Sequence, residues 1–269
     1  MIITLLTDFG TADYFVGAMK GAILTINPRA CIVDITHEIP AHDIGAGAFT
    51  LLTASETFPP GTIHVAVVDP GVGSARRAIL AECGGQLFVA PDNGLVSYAR
   101  ERAGAARVRH LTNRKFFRPE VSATFHGRDV FAPVAASLSA GAQPRELGEE
   151  IDDWVRLPPL APRAREDGAL EATIIHVDRF GNCVTSLTRG ELGEDASARG
   201  AALVVGDHAI RSFRRFYADA DGDAREPFAI WGSAGFLEIS ALRASAAELL
   251  GARRGHTVIV TGDRENRDG

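Results

Sequence analysis

The chain has 269 residues, of which 46% are hydrophobic and 23% charged, with a formal net charge of −6. That length holds one large or two modest domains, and the composition excludes a largely disordered chain. An acidic balance argues against a general binder of nucleic-acid phosphates, and no apolar run reaches the ~18 residues of a membrane-spanning helix.

The first apolar run, Ile2 to Leu6, predicts a buried strand ending at Thr7-Asp8-Phe9-Gly10. No basic residue precedes it and an acid follows, so it does not read as a signal peptide, and a cytoplasmic location is expected. Tyr14 to Ile26 has helical spacing and stops at Asn27-Pro28. Cys31 to Ile35 predicts a strand, Ile44 to Thr57 a helix, and Ile63 to Val68 a strand buried on both faces. Leu87 to Ala90 is a further strand, followed by Pro91-Asp92-Asn93-Gly94 and a helix through Arg100, and Val130 to Leu138 is another helix. This alternation predicts an α/β N-terminal domain over residues 1–160, with a mostly parallel sheet between helices.

Proline-rich then charged sequence marks 161–168 as a linker. Beyond it lie short β-like runs: Leu170–Val177, Ala201–Val205, Phe228–Trp231, Phe236–Ile239 and Thr257–Thr261. They predict a smaller, mainly antiparallel β domain over 169–269, with one short helix in Ser245 to Arg253 and a frayed tail from Asp263. Cys31, Cys83 and Cys183 are widely spaced with no CxxC, which indicates neither a zinc site nor a disulfide framework. They are expected as small core hydrophobes in a reducing compartment.

Acids stand directly after three strands: Asp8, Asp69 and Asp92. Ligands of open α/β sheets bind beyond the carboxyl ends of strands, so these turns are candidates for one cleft. The alternative is that they serve turns and helix caps. Asp69-Pro-Gly-Val-Gly-Ser-Ala-Arg-Arg77 lacks the third glycine of a dinucleotide loop and the Gly-Lys-Ser/Thr of a P-loop. Its content is an acid and two arginines around a flexible turn. Phe125-His-Gly-Arg-Asp-Val-Phe131 places His126 at a helix start, where Asp129 either caps the helix or pairs with Arg128.

His37 and His42 are five apart with Pro40 between them, which does not fit a HExxH zinc helix. Asp219-Ala-Asp-Gly-Asp223 lacks the closing Glu of a calcium loop. No metal is expected. Val177-Asp-Arg-Phe-Gly-Asn182 reads either as a purine-holding end, with an aromatic face and an amide, or as a hairpin turn.

Seven segments in order carry a resemblance: Leu6-Thr-Asp-Phe-Gly10, Val33-Asp-Ile-Thr-His37, Val68-Asp-Pro-Gly-Val-Gly73, Ala90-Pro-Asp-Asn-Gly94, Phe125-His-Gly-Arg-Asp129, Val177-Asp-Arg-Phe-Gly-Asn182 and Phe236-Leu-Glu-Ile239. Together they resemble the S-adenosyl-L-methionine hydroxide adenosyltransferase family, whose relatives are the fluorinase and chlorinase. The resemblance implies hydrolysis of S-adenosyl-L-methionine to adenosine and L-methionine, with no cofactor. It implies a two-domain subunit in a homotrimer, with sites at subunit interfaces and neither nucleic acid nor membrane as partner. By motif match, Asp69, Arg76 and His126 correspond to the water-activating set. Asp8 corresponds to the ribose-binding acid, Asp178 to the acid at the methionine ammonium, Phe180 and Asn182 to adenine contacts, and Ser233 to the methionine carboxylate contact.

The fluorinase branch has Tyr where Asp69 stands and Tyr-Ser where His126-Gly127 stand, so the resemblance favours water over halide as nucleophile. The sequence departs from the family pattern in having Ala234 after the serine and Leu242 near the base-binding segment. A halogenase, or a sensor that binds S-adenosyl-L-methionine or adenosine without turnover, are the competing readings.

Overall fold

The computed structural model describes residues 1–193, 196–198, 200–219 and 225–262. The chain forms two compact units, Met1–Pro158 and Pro159–Gly269.

The N-terminal unit runs β1 (Ile2–Thr7), α1 (Phe15–Ile26), β2 (Cys31–Thr36), α2 (Ile44–Ser55), β3 (Ile63–Val67), β4 (Ala78–Cys83), β5 (Gln86–Pro91), α3 (Ser97–Ala103), β6 (Ala106–His110) and α4 (Ala132–Ser139). Its six strands lie in the order β2-β1-β3-β5-β4-β6. The pairings β1/β2, β1/β3 and β3/β5 are parallel, and β4 is antiparallel to both neighbours. One face of the sheet, with Ile3, Leu5, Val65, Leu80 and Val89, packs on Met19 and Ile23 of α1 and Val134 and Leu138 of α4. The other, with Leu6, Ala66, Ile79 and Phe88, packs on Leu51 of α2, Ala99 of α3 and Trp154. Apolar side chains on both faces require a covering layer on each side, which explains why every residue of β3 is buried.

Two strands of this unit escaped the sequence reading. β4, Ala-Ile-Leu-Ala-Glu-Cys, mixes two alanines and an acid with only two large aliphatic residues. β6, Ala-Arg-Val-Arg-His, is an edge strand in which arginine alternates with a single valine, and Arg109 pairs with Glu82 across the ladder. The predicted helix at Val130 starts instead with a π-helical turn over Gly127–Phe131 that runs into α4. Cys31 is exposed, against the expectation of a core position; Cys83 and Cys183 are buried.

The C-terminal unit contains β7 (Arg163–Ala164), β8 (Leu170–Val177), β9 (Cys183–Thr188), α5 (Arg189–Leu192), β10 (Ala202–Val205), β11 (His208–Ile210), β12 (Phe213–Arg214), β13 (Phe228–Trp231), β14 (Phe236–Ser240), α6 (Ala246–Leu249) and β15 (Thr257–Thr261). The strands lie in the order β11-β10-β15-β8-β9-β14-β13-β12, with β7 on β8. All pairings are antiparallel except β12 with β13. β8 joins the two halves: its first residues pair with β15 and its last with β9. Its core gathers Ile174, Leu187, Leu203, Leu237, Ile239 and Val258. The acidic segment singled out at 219–223 and the tail from 263 lie largely or wholly outside the described residues.

Candidate active site

In the N-terminal unit, strand direction collects the polar turns. β1, β3 and β5 run parallel, so Asp8, Asp69 and Asp92 all emerge at their carboxyl ends. β4 runs the other way, so the residues just before it, Arg76 and Arg77, return to that same edge.

The loop from Asp69 to Arg76 is tied by its own bonds. Val72 N donates to Asp69 O at 3.2 Å, and Ser74 Oγ donates to Gly71 O at 2.7 Å. Gly73 has φ +77°, and a Cβ there would lie 2.2 Å from the Ala123 carbonyl oxygen. Only glycine allows this approach of the loop to the segment that carries His126.

Arg76 turns inward. Its Nε donates to Asp69 Oδ1 at 2.9 Å, and its Nη2 donates both to Asp69 Oδ2 and to His126 Nδ1, the latter at 2.8 Å. The Arg76 and Asp69 side chains are 10% and 5% exposed, and the guanidinium carbon lies 5.3 Å from the Phe131 ring centroid. Arginine only donates, so the Nδ1 of His126 must be the acceptor and the neutral ring carries its proton on Nε2. Burial, then the neighbouring Arg76 charge, lowers the His126 pKa below the ordinary histidine value, although Asp69 and Asp129 oppose this.

Arg77, the next residue, serves structure. It donates to Asp92 Oδ2 at 2.8 Å and Asp153 Oδ1 at 2.7 Å, and Asp92 Oδ1 accepts from Val155 N. Asn93 Nδ2 donates to Val68 O. The Asp92-Asn93 turn is thus occupied in strapping the end of the unit to the sheet. Asp129 is completely buried and accepts from Arg128 Nε at 2.6 Å and Ser122 N at 2.9 Å. It braces the π turn that follows His126, and such turns recur at functional sites.

Asp8 sits at the same edge, and its Oδ2 accepts from His42 N at 2.9 Å. His42 has a left-handed backbone, φ +66°, a costly conformation for a residue with a Cβ. Next to Asp8, Thr7 Oγ1 bonds His37 Nδ1 at 2.9 Å, and His37 Nε2 lies 3.1 Å from Asp34 Oδ1. The two histidines therefore hold the Asp8 turn in place from the loop that follows β2. Phe9 packs edge-on to Phe125 at 6.0 Å between centroids, which puts this turn beside the His126 segment.

The other predicted residues line a cavity of about 780 Å³ inside the C-terminal unit: Asp178, Phe180, Asn182 and Ser233, joined by Tyr217 and Trp231. Asp178 closes the turn between β8 and β9. Its Oδ1 accepts from Phe180 N and Asn182 N, and its Oδ2 from Asn182 Nδ2, all at 2.8 Å. The motif is a hairpin turn, and it also forms a wall of the cavity. Phe180 is 76% exposed.

The sequence reading missed Tyr217, Trp231, Glu238 and Arg243 as cavity residues. Trp231 and Glu238 stand in or beside quoted motifs. Tyr217 and Arg243 had no local signal.

Two family descriptions match the chain: the SAM hydroxide adenosyltransferase N-terminal domain over residues 3–148 and its C-terminal domain over 172–259. A protein of Salinispora tropica named (R)-S-adenosyl-L-methionine hydrolase is 37% identical over 266 residues, covering 96% of this chain and 97% of that one. A fluorinase of an Actinoplanes species is more distant, at 27% identity over 97% of both chains. The crystal structure of an uncharacterised conserved protein from Thermotoga maritima superposes with a TM-score of 0.87 at 35% identity, covering 97% of this chain and 99% of the other.

Proposed function

The chain belongs to the SAM hydroxide adenosyltransferase family, and on that basis we propose that it hydrolyses S-adenosyl-L-methionine to adenosine and L-methionine, in the R form that the name of its Salinispora relative specifies. Water attacks the ribose C5′, the C5′–S bond breaks, and methionine leaves as a neutral thioether. The attacking oxygen loses one proton as the C–O bond forms; the proton is released to solvent and carries away the positive charge of the sulfonium, so that substrate and water give adenosine, L-methionine and one proton.

The observation that carries the mechanism is the continuous connection Asp69–Arg76–His126. A neutral thioether leaves without a general acid, so the barrier lies with the nucleophile; bulk water has a pKa of about 15.7. Arg76 supplies a fixed positive charge, which favours hydroxide character at a nearby water. Asp69 holds the guanidinium in one orientation through two oxygens. With Nδ1 engaged by Arg76, His126 presents Nε2–H and orients the attacking oxygen as a donor. In this arrangement it is not the first proton acceptor. Sulfonium and hydroxide neutralise each other as they react, so exclusion of water assists the step, and positioning does the rest.

Asp8 keeps Oδ1 available for the ribose hydroxyls, since the His42 amide occupies Oδ2. Phe180 and Asn182 take the adenine, and Asp178 and Ser233 face the methionine end. No cofactor enters, because S-adenosyl-L-methionine is itself the substrate. The assembly is a homotrimer in the cytoplasm, without nucleic-acid or membrane partners.

Incubation with the R and S forms separately, in oxygen-18 water containing chloride, tests this by mass spectrometry. Labelled adenosine with methionine from the R form is expected. A 5′-chloro nucleoside, or bound substrate without turnover, would overturn it in favour of the halogenase or the sensor.

A further inference from the structure

We propose that Glu238 and Arg243 read the amino-acid end of the substrate beside Asp178 and Ser233, Glu238 supplying the free carboxylate for the α-ammonium and Arg243 the guanidinium fork for the α-carboxylate. The inference rests on the S-adenosyl-L-methionine reading above and concerns the cavity wholly within the C-terminal unit.

Two acids line that cavity, and they differ in occupancy. Asp178 already accepts three bonds of 2.8 Å from its own turn. Glu238, on β14, has one long contact, 3.5 Å from the Tyr217 hydroxyl to Oε2. A half-buried carboxylate with so little hydrogen bonding is unfavourable alone and is relieved by a cation. Burial, and then the Asp178 charge, raise its pKa above the ordinary value, as expected of an acid lacking its counter-charge. The fold makes room for this carboxylate. A Cβ on Gly232 would lie 1.9 Å from Glu238 Oε1, so the acid is tucked against the backbone of the turn that carries Ser233.

Arg243 is the one cation among the described residues lining the cavity. It takes part in no hydrogen bond or ion pair among the described residues, and it does not pair with Glu238. Its backbone is left-handed, φ +56°, in the tight turn closed by the Ala241–Ala244 bridge. Glycine or asparagine occupies such a position at least cost, so an arginine there needs a reason beyond the turn. Opposite charges that share a cavity without pairing are the complement of a zwitterion. A guanidinium fork matches a carboxylate in two-point geometry. A bare nucleobase needs neither charge, and a phosphate would be repelled by the two acids.

The test is calorimetric titration of the full-length protein with L-methionine, adenosine, 4-methylthiobutyrate (no ammonium) and 3-methylthiopropylamine (no carboxylate). Glu238→Gln is expected to weaken L-methionine by about 10- to 100-fold, the worth of a charged hydrogen bond. It should leave 4-methylthiobutyrate and adenosine unchanged. Arg243→Gln should weaken L-methionine similarly and leave the amine and adenosine unchanged. Arg243→Gly adds a readout that a merely structural role would not give: thermal stability rises while methionine affinity falls. Weakening of adenosine instead, unchanged methionine affinity in both variants, or no methionine binding by the parent protein would each overturn the proposal. Failure of the parent protein to release adenosine from S-adenosyl-L-methionine would sink the activity while these titrations still decide the roles of Glu238 and Arg243.

Discussion

Protonating His126 would set a second cation 2.8 Å from Arg76 and remove the lone pair that accepts its N–H. The lowered pKa of this ring follows from that geometry together with burial. Because the pKa lies below the ordinary value near 6.5, the ring is neutral at pH 7 and charges only on further acidification. Turnover is therefore expected to be flat above neutrality and to fall on an acid limb placed below the ordinary histidine range. Rate profiles of the parent protein and of His126→Gln check this, since the limb should vanish in the variant. A limb that persists unchanged would assign it elsewhere. Arg76→Lys keeps the charge and loses the fork that spans Asp69 and His126. A loss of about 10²- to 10³-fold in kcat is expected, with KM little changed, as for removal of a preorganised donor. Steady-state kinetics at matched folding decide it. At this scale the sequence was informative about identity and silent about geometry. Asp69, Arg76 and His126 were named from ordered motifs, whereas the division of labour between Arg76 and Arg77 depends on which way each side chain turns. Arg243 stayed hidden because a left-handed backbone leaves no mark in composition.

Elements explain which residues meet. Reversal of β4 returns Arg76 to the edge where Asp69 emerges, and a glycine at 73 lets that loop press on the Ala123 carbonyl. The parallel core of the first unit was legible because its strands are nearly all apolar. β4 and β6 were not, since segments that mix alanine with an acid or alternate arginine with an apolar residue carry weak strand signals and are held by their neighbours. β3 also holds a histidine in the core. His64 is fully buried, bonded through Nδ1 to Thr4 Oγ1 at 2.7 Å, and stacked on Phe88 at 4.8 Å. Burial pushes its pKa down to about 4. The folded value lies below the unfolded one near 6.5, so the contribution to stability is complete above about pH 6.5 and is lost as pH falls towards 4. The loss is on the order of 3 kcal/mol by linkage. Urea unfolding midpoints should drop across that window in the parent protein and much less in His64→Gln. Equal slopes in the two proteins would refute the assignment.

For the whole molecule, the sequence reading gave the order of α/β unit and then β unit. It missed β7, β11 and β12, because two- and three-residue strands are fixed by pairing rather than by pattern, and it missed β9, whose Cys-Val-Thr-Ser-Leu-Thr carries two threonines and a serine and lies between β8 and β14. Large rings remain bare in the single chain: Tyr14 is 68% exposed, Phe180 76% and Phe216 55%. Phe180 among them also lines the cavity of the C-terminal unit. Light scattering is expected to give three times the mass of the 28.6 kDa chain, and Phe180→Ser should weaken both assembly and substrate affinity. An active monomer would contradict the shared-site arrangement. The connection from β3 to β4 has one more consequence. The loop from Asp69 to Arg76 is anchored by strands at both ends and is otherwise free of the sheet's register, so descent can lengthen or rewrite it while the scaffold is inherited intact. A lineage can thus change the surroundings of the nucleophile by editing this stretch together with the His126-Gly127 pair that it presses on, and leave the sheet untouched.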